Sequence, residues 1–134
     1  MPRDVDRVRE WLVKANTDLK SAQRLLAGDD PITETACFHC QQCVEKSLKG
    51  FLQWQAIEPP HIHLLIPLFV QCKPHSTDIY ELRHECAWLT AFAVAARYPS
   101  AAGPPTVERA HEAYVAAERL LHAVLRELPP EVHP

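Results

Sequence analysis

Apolar side chains recur every three or four positions through most of this chain, and proline or glycine closes each run. The last run is the most regular, and its apolar members are Val107, Ala110, Tyr114, Ala117, Leu121, Val124 and Leu128. This spacing places them on one face of an α-helix, as in a helix that packs antiparallel against another. Pro129 and Pro130 follow the run and end it.

The same period predicts the other helices. We expect long helices from about Asp4 to Ala27, from Pro31 to Gln55 and from Ser76 or Thr77 to Ala96. A shorter helix is predicted from about Ile62 to Gln71. Because Pro67 lies inside it, that helix should be short, kinked or late in starting.

Long helices joined by short loops predict an all-α fold. We expect an up-and-down four-helix bundle with an additional short helix, four to five helices in all. The 134 residues suffice for a single domain over 1–134, with its core at about 4–128 and a loose tail at 129–134.

Glycine is scarce and proline is abundant, with 3 and 12 residues respectively. Gly28, Gly50 and Gly103 stand far apart, which excludes the glycine-rich loops that cradle phosphates. The net charge of −3 gives no basic footprint for duplex nucleic acid. Any bound nucleotide must therefore be held by side chains on helices.

No apolar run approaches the ~20 residues of a membrane span, and the charged N-terminus is no secretory signal. The five cysteines then indicate reduced thiols in the cytoplasm. On a helix, Cys37, Cys40 and Cys43 spread over about 120° and do not converge on one ion. Small core residues are the favoured interpretation, with metal binding or redox chemistry as alternatives; we expect no cofactor and no metal.

The second helix carries Gln41, Gln42, Glu45, Lys46 and Lys49. Glu45 and Lys49 form a favourable i,i+4 pair, worth about 0.2–0.5 kcal/mol. One interpretation is a solvated helix face. The other is a polar groove in which lysines bind phosphate and Gln or His side chains bind base or sugar edges.

Two further polar pairs allow a structural and a functional interpretation. His61 and His63 do not share a helical face, and they could be a solvated loop pair. Arg97 and Tyr98 leave the fourth helix, where Arg97 suits the helix dipole or, with Tyr98, could bind an anion and stack a base. No Ser/His/Asp triad or carboxylate pair is recognisable among the scattered polar residues.

The second helix also carries a motif. Its residues Phe38, His39, Gln41, Gln42, Glu45, Lys46, Leu48 and Lys49 follow the order Phe-His-x-Gln-Gln-x-x-Glu-Lys-x-Leu-Lys. This stretch resembles the signature of the HEPN domain (higher eukaryote and prokaryote nucleotide-binding domain).

Three other segments resemble that family in the same order. The first is the first helix, with Asp18, Leu19 and Ala22. The second is the stretch from Pro60 to Leu65, in which His63 matches the family's histidine, and the third is Arg97-Tyr98-Pro99. Ile62 and Leu64 depart from the usual Thr and Asp beside that histidine, and Ser100 replaces a common Asp.

The resemblance implies a four- or five-helix bundle, usually a homodimer, that binds nucleotides or polynucleotides. It also implies a toxin–antitoxin-like pairing with a minimal nucleotidyltransferase encoded nearby. The candidate nucleotide-binding residues are His39, Gln42, Lys46, Lys49, His63, Arg97 and Tyr98. No residue is predicted to be catalytic.

Two alternatives belong to other classes of function. Some family members are ribonucleases with an Arg followed after four to six residues by His; here only Arg126 and His133 fit, across Pro129-Pro130. The other alternative is a purely structural protein-interaction bundle, with a tryptophan such as Trp11, Trp54 or Trp88 at its contact.

Overall fold

The computed structural model describes residues 3–95, 98–99 and 102–134, and within them the secondary structure is entirely helical. The α-helices are α1 (Val5–Leu26), α2 (Thr33–Trp54), α3 (Leu65–Cys72), α4 (Thr77–Glu81), α5 (Arg83–Cys86), α6 (Phe92–Ala95) and α7 (Val107–Arg126). Turns of 3-10 helix cover Ala87–Ala91 and Pro130–Val132. The predicted all-α helical fold is confirmed.

The helix α2 is the central element, because α1, α3, α6 and α7 all pack against it. Its apolar side chains and its three cysteines are buried. The helix α1 approaches α2 closely at Gly50, where a Cβ would lie 3.1 Å from Leu12 Cδ2 and 3.2 Å from Trp11 Cβ. A larger residue at this position would push the two helices apart.

The polypeptide between α2 and α7 departs from the predicted helices. The helix α3 begins at Leu65 rather than near Ile62, which places Pro67 in its first turn, where a missing N–H costs least. The fourth predicted helix is divided into α4, α5, a 3-10 turn and α6. At these breaks the Arg83 guanidinium donates to the Tyr80 carbonyl (3.1 Å) and the Trp88 indole to the Glu85 carbonyl (2.8 Å).

The described part of the chain has no helix that is both long and apolar enough to cross a bilayer. All five cysteines are buried as free thiols, so the core interpretation of Cys37, Cys40 and Cys43 is correct.

Candidate functional site

One side of α2 is polar although the helix is largely buried. This α2 polar face consists of His39, Gln41, Gln42, Glu45, Lys46 and Lys49. Its partners are Asp18 on α1 and His63 on the segment that precedes α3. The face therefore joins three parts of the fold.

Asp18 binds two side chains of the α2 polar face. Its Oδ1 lies 2.8 Å from His39 Nδ1, and its Oδ2 accepts a hydrogen bond of 2.7 Å from Lys46 Nζ. The Asp18 side chain is 10% exposed, whereas His39 and Lys46 are 27% and 22% exposed. The buried carboxylate thus holds an imidazole and an ammonium group side by side at the protein surface.

Glu45 is the centre of a second cluster. Its Oε2 accepts from Lys49 Nζ (3.1 Å), and its Oε1 lies 3.0 Å from His63 Nδ1 and accepts from Gln41 Nε2 (3.1 Å). Gln41 Nε2 also donates to the His63 carbonyl (3.2 Å), while Gln42 Nε2 donates to Gln41 Oε1 (2.6 Å). The cluster ties the segment before α3 to α2.

Burial divides the α2 polar face into an inner and an outer part. Glu45 and Lys49 have side chains only 5% and 7% exposed, so the solvated-face interpretation is wrong for them. His63 is 67% exposed and, like His39 and Lys46, reaches solvent. Asp18 fixes the positions of His39 and Lys46, and Glu45 of the buried ion pair fixes that of His63.

The structure brings together His39, Gln42, Lys46, Lys49 and His63 of the predicted site residues. Arg97 lies outside the described residues. Tyr98 is 66% exposed after α6, and no hydrogen bond between described residues ties it to the α2 polar face.

Asp18 is the site residue that sequence reasoning missed. It lies 21 residues before His39 and 28 before Lys46, and it reaches them only because α1 packs along α2. The one available signal in the sequence was the match of Asp18 to the first helix of the family that the chain resembles.

The sequence model of the HEPN domain matches residues 8–128, which include most of α1, the α2 polar face and all of α7. This chain belongs to the HEPN domain family. Two solved structures are similar to this chain over nearly its whole length. TT1696 from Thermus thermophilus is 30% identical, with 91% of this chain and 98% of that chain covered and a TM-score of 0.74. An archaeal HEPN homologue is 32% identical, with 95% and 98% covered and a TM-score of 0.68. No curated protein matches this HEPN chain.

In this HEPN chain, His133 contacts backbone carbonyls near the end of α7. Its Nε2 lies 2.9 Å from the Leu125 carbonyl and 3.0 Å from the Leu128 carbonyl, at the end of α7. This ring nitrogen adds a side-chain contact to the Leu125 carbonyl, which also accepts from Leu128 N–H, and to the Leu128 carbonyl just beyond the helix. Arg126 is the exposed last residue of α7.

The thiols of this HEPN chain are in surroundings that suppress reactivity. Burial raises the pKa of Cys37 to about 11 and the pKa of Cys72 and Cys86 to about 12. Burial also raises the pKa of Cys40 and Cys43 well above the usual value. Within the described residues, no group of His, Cys, Asp and Glu is arranged to hold a metal ion.

Proposed function

We propose that this HEPN domain binds a nucleotide or polynucleotide at the outer part of the α2 polar face. The observation that carries the proposal is the pairing of His39 and Lys46 on the buried carboxylate of Asp18. It gives a cation and an imidazole, held in fixed positions and open to solvent, on the helix that bears the family signature. Membership of a nucleotide-binding family supports the same assignment.

Each outer side chain has a chemical role in this proposal. A lysine ammonium has three donors, of which Lys46 gives one to Asp18, so the others can bind phosphate oxygens. When His39 Nδ1 donates to Asp18, the opposite ring nitrogen accepts from a ribose hydroxyl, and in the protonated ring it donates to phosphate. The carbonyl oxygen of Gln42, one turn from both, can accept from a sugar or base.

Lys49 and Glu45 have a positioning role. Their ion pair is buried, and binding phosphate through Lys49 would leave the Glu45 carboxylate with one charged partner fewer. Glu45 instead orients His63, whose exposed ring forms the other edge of the site.

We further propose that the protein is a homodimer and acts with a minimal nucleotidyltransferase in a toxin–antitoxin-like pair. The family supports dimerisation, since HEPN domains often dimerise. Exposed apolar side chains on and beside α3 also suit a protein contact; Leu64, Ile66 and Val70 are 55%, 42% and 51% exposed. Co-expression with the neighbouring gene product, followed by affinity purification and light scattering, tests this pairing.

The binding proposal is tested by titrating ATP and GTP against the wild type and Lys46→Ala. We expect the wild type to bind and Lys46→Ala to bind at least about tenfold more weakly, because a charge-assisted hydrogen bond to phosphate is lost. Lys46→Arg should retain most of the affinity. Lys20→Ala, on an exposed part of α1, is the matched control and should bind like the wild type.

Equal affinities in all four proteins, or no binding by the wild type, would contradict the proposed site. Thermal melts of each variant show whether the protein is folded before affinity is compared. Incubation with RNA tests the ribonuclease alternative: cleavage that is lost in Arg126→Ala or His133→Ala would replace binding by catalysis as the function.

A further inference from the structure

We infer that a pocket on α1, beside the α2 polar face, receives the base of the nucleotide whose phosphates contact Lys46. Among the described residues, this pocket of about 170 Å³ is lined by Arg7, Glu10, Trp11 and Lys14. The inference rests on the proposed function and deepens it, because it names the side chains that recognise the base.

The pocket and the Asp18 cluster lie along one side of α1. Residues four and seven positions apart share a helical face, so Arg7, Trp11, Lys14 and Asp18 follow one another along α1. Trp11 and Asp18 are separated by about 10 Å along the helix axis, at about 1.5 Å per residue. One nucleotide, with its base at Trp11 and its phosphates at Lys46, can extend over that length.

Contacts with α2 hold Trp11 in place. Its Cβ approaches α2 at Gly50, and the Lys49 ammonium lies 5.7 Å from the centroid of its ring. Lys49 also pairs with Glu45, so Trp11 is in contact with the second cluster of the α2 polar face. The pocket therefore adjoins the α2 polar face at Lys49.

The chemistry of the lining suits an aromatic base attached to an anionic group. The face of an indole stacks on any base, and this stacking tolerates different sequences. Arg7 and Lys14 bring two cations against the single carboxylate of Glu10. The volume is below the roughly 300 Å³ of pockets for drug-sized ligands, which fits one ring system rather than a larger molecule.

The test compares ATP with inorganic triphosphate, which has no base. We expect Trp11→Leu to weaken ATP binding about tenfold, in line with the loss of one stacked base. Trp11→Phe, which keeps an aromatic face, should stay within about threefold of the wild type. Triphosphate affinity should be unchanged in both variants, and Lys20→Ala again serves as the control.

Fluorescence provides a measurement that needs no substitution in the pocket. Trp54→Phe and Trp88→Phe together leave Trp11 as the only tryptophan of the three. ATP should then change its emission, whereas triphosphate should not.

The outcomes separate this inference from the proposed function. If Trp11→Leu binds ATP like the wild type while Lys46→Ala does not, the base pocket is wrong and the phosphate site stands. Equal weakening of ATP and triphosphate by Trp11→Leu also overturns the base pocket. If the wild type binds neither ligand, both proposals fail.

Discussion

Asp18 is a residue at which stability and the proposed function meet. Its carboxylate accepts from Lys46 and pairs with His39, and it is nearly enclosed. A buried carboxylate of this kind fixes the positions of its partners. The loss of any one of the three groups then disturbs the hydrogen bonds of the other two.

We predict that Asp18→Ala lowers the free energy of unfolding by about 1–3 kcal/mol, because two polar groups lose their partner. Both groups keep some contact with water, which limits the loss. Urea denaturation measures it, with Asp29→Ala on the exposed loop after α1 as the control. A loss no greater than that of the control would contradict the role given to Asp18.

A second prediction at this scale concerns His133. We expect His133→Ala to lower the free energy of unfolding by about 0.5–1.5 kcal/mol, because carbonyls at the end of α7 lose a donor. Nucleotide affinity should not change. A measurement that shows altered affinity with normal stability would assign His133 to a ligand site instead.

At the scale of the helices, the close approach of α1 and α2 depends on Gly50. A valine there would place methyl groups against Leu12 and Trp11. We predict that Gly50→Val costs about 1–3 kcal/mol of stability through overpacking. Gly28 is the control, because a Cβ at that position meets no atom within 4 Å; its positive φ of 86° makes Gly28→Asn the suitable variant. Unchanged stability in Gly50→Val would show that the helices can separate without cost.

The buried thiols of α2, α3 and α5 predict the response to alkaline pH. Their pKa values in the folded protein lie above the ordinary 9.0, reaching about 11 for Cys37 and about 12 for Cys72 and Cys86. The unfolded chain therefore releases protons that the folded chain retains. These thiols favour the fold fully below pH 9, and their contribution is lost as pH rises towards 11 and 12.

Urea denaturation at pH 7, 9 and 10 checks this expectation, with stability lowest at pH 10. Cys86→Ala should show a weaker dependence on pH. Thiol reagents should label the native protein at neutral pH only as fast as it unfolds. Rapid labelling without unfolding would contradict the burial of these residues.

Local pattern predicted α1, α2 and α7 to within about two residues, because an unbroken period decides where a long helix lies. The pattern did not predict the helix breaks between Thr77 and Ala95. There, side chains such as that of Trp88 donate hydrogen bonds to backbone carbonyls, and these contacts form in the packed tertiary structure. The same distinction applies to the site. The motif predicted His39 and Lys46 as candidate site residues, whereas the contacts of Asp18 with them depend on how α1 packs against α2.

At the scale of the whole molecule, we expect the proposed dimer contact at α3, because apolar side chains of this helix are exposed. We predict that light scattering finds two chains per particle and that Val70→Lys shifts the equilibrium towards one. Val115→Lys, on α7 and similarly exposed, is the control and should remain dimeric. A wild type that stays monomeric at high concentration would contradict the homodimer.

The central position of α2 has a consequence for genetics. Half of the eight residues of the family signature, Gln41, Glu45, Leu48 and Lys49, are buried, so many random substitutions in α2 will destabilise the protein rather than act on the proposed site alone. Separation-of-function alleles should concentrate at the few outward side chains, such as His39 and Gln42. A selection that scores protein abundance together with phenotype would recover them from a library confined to α2.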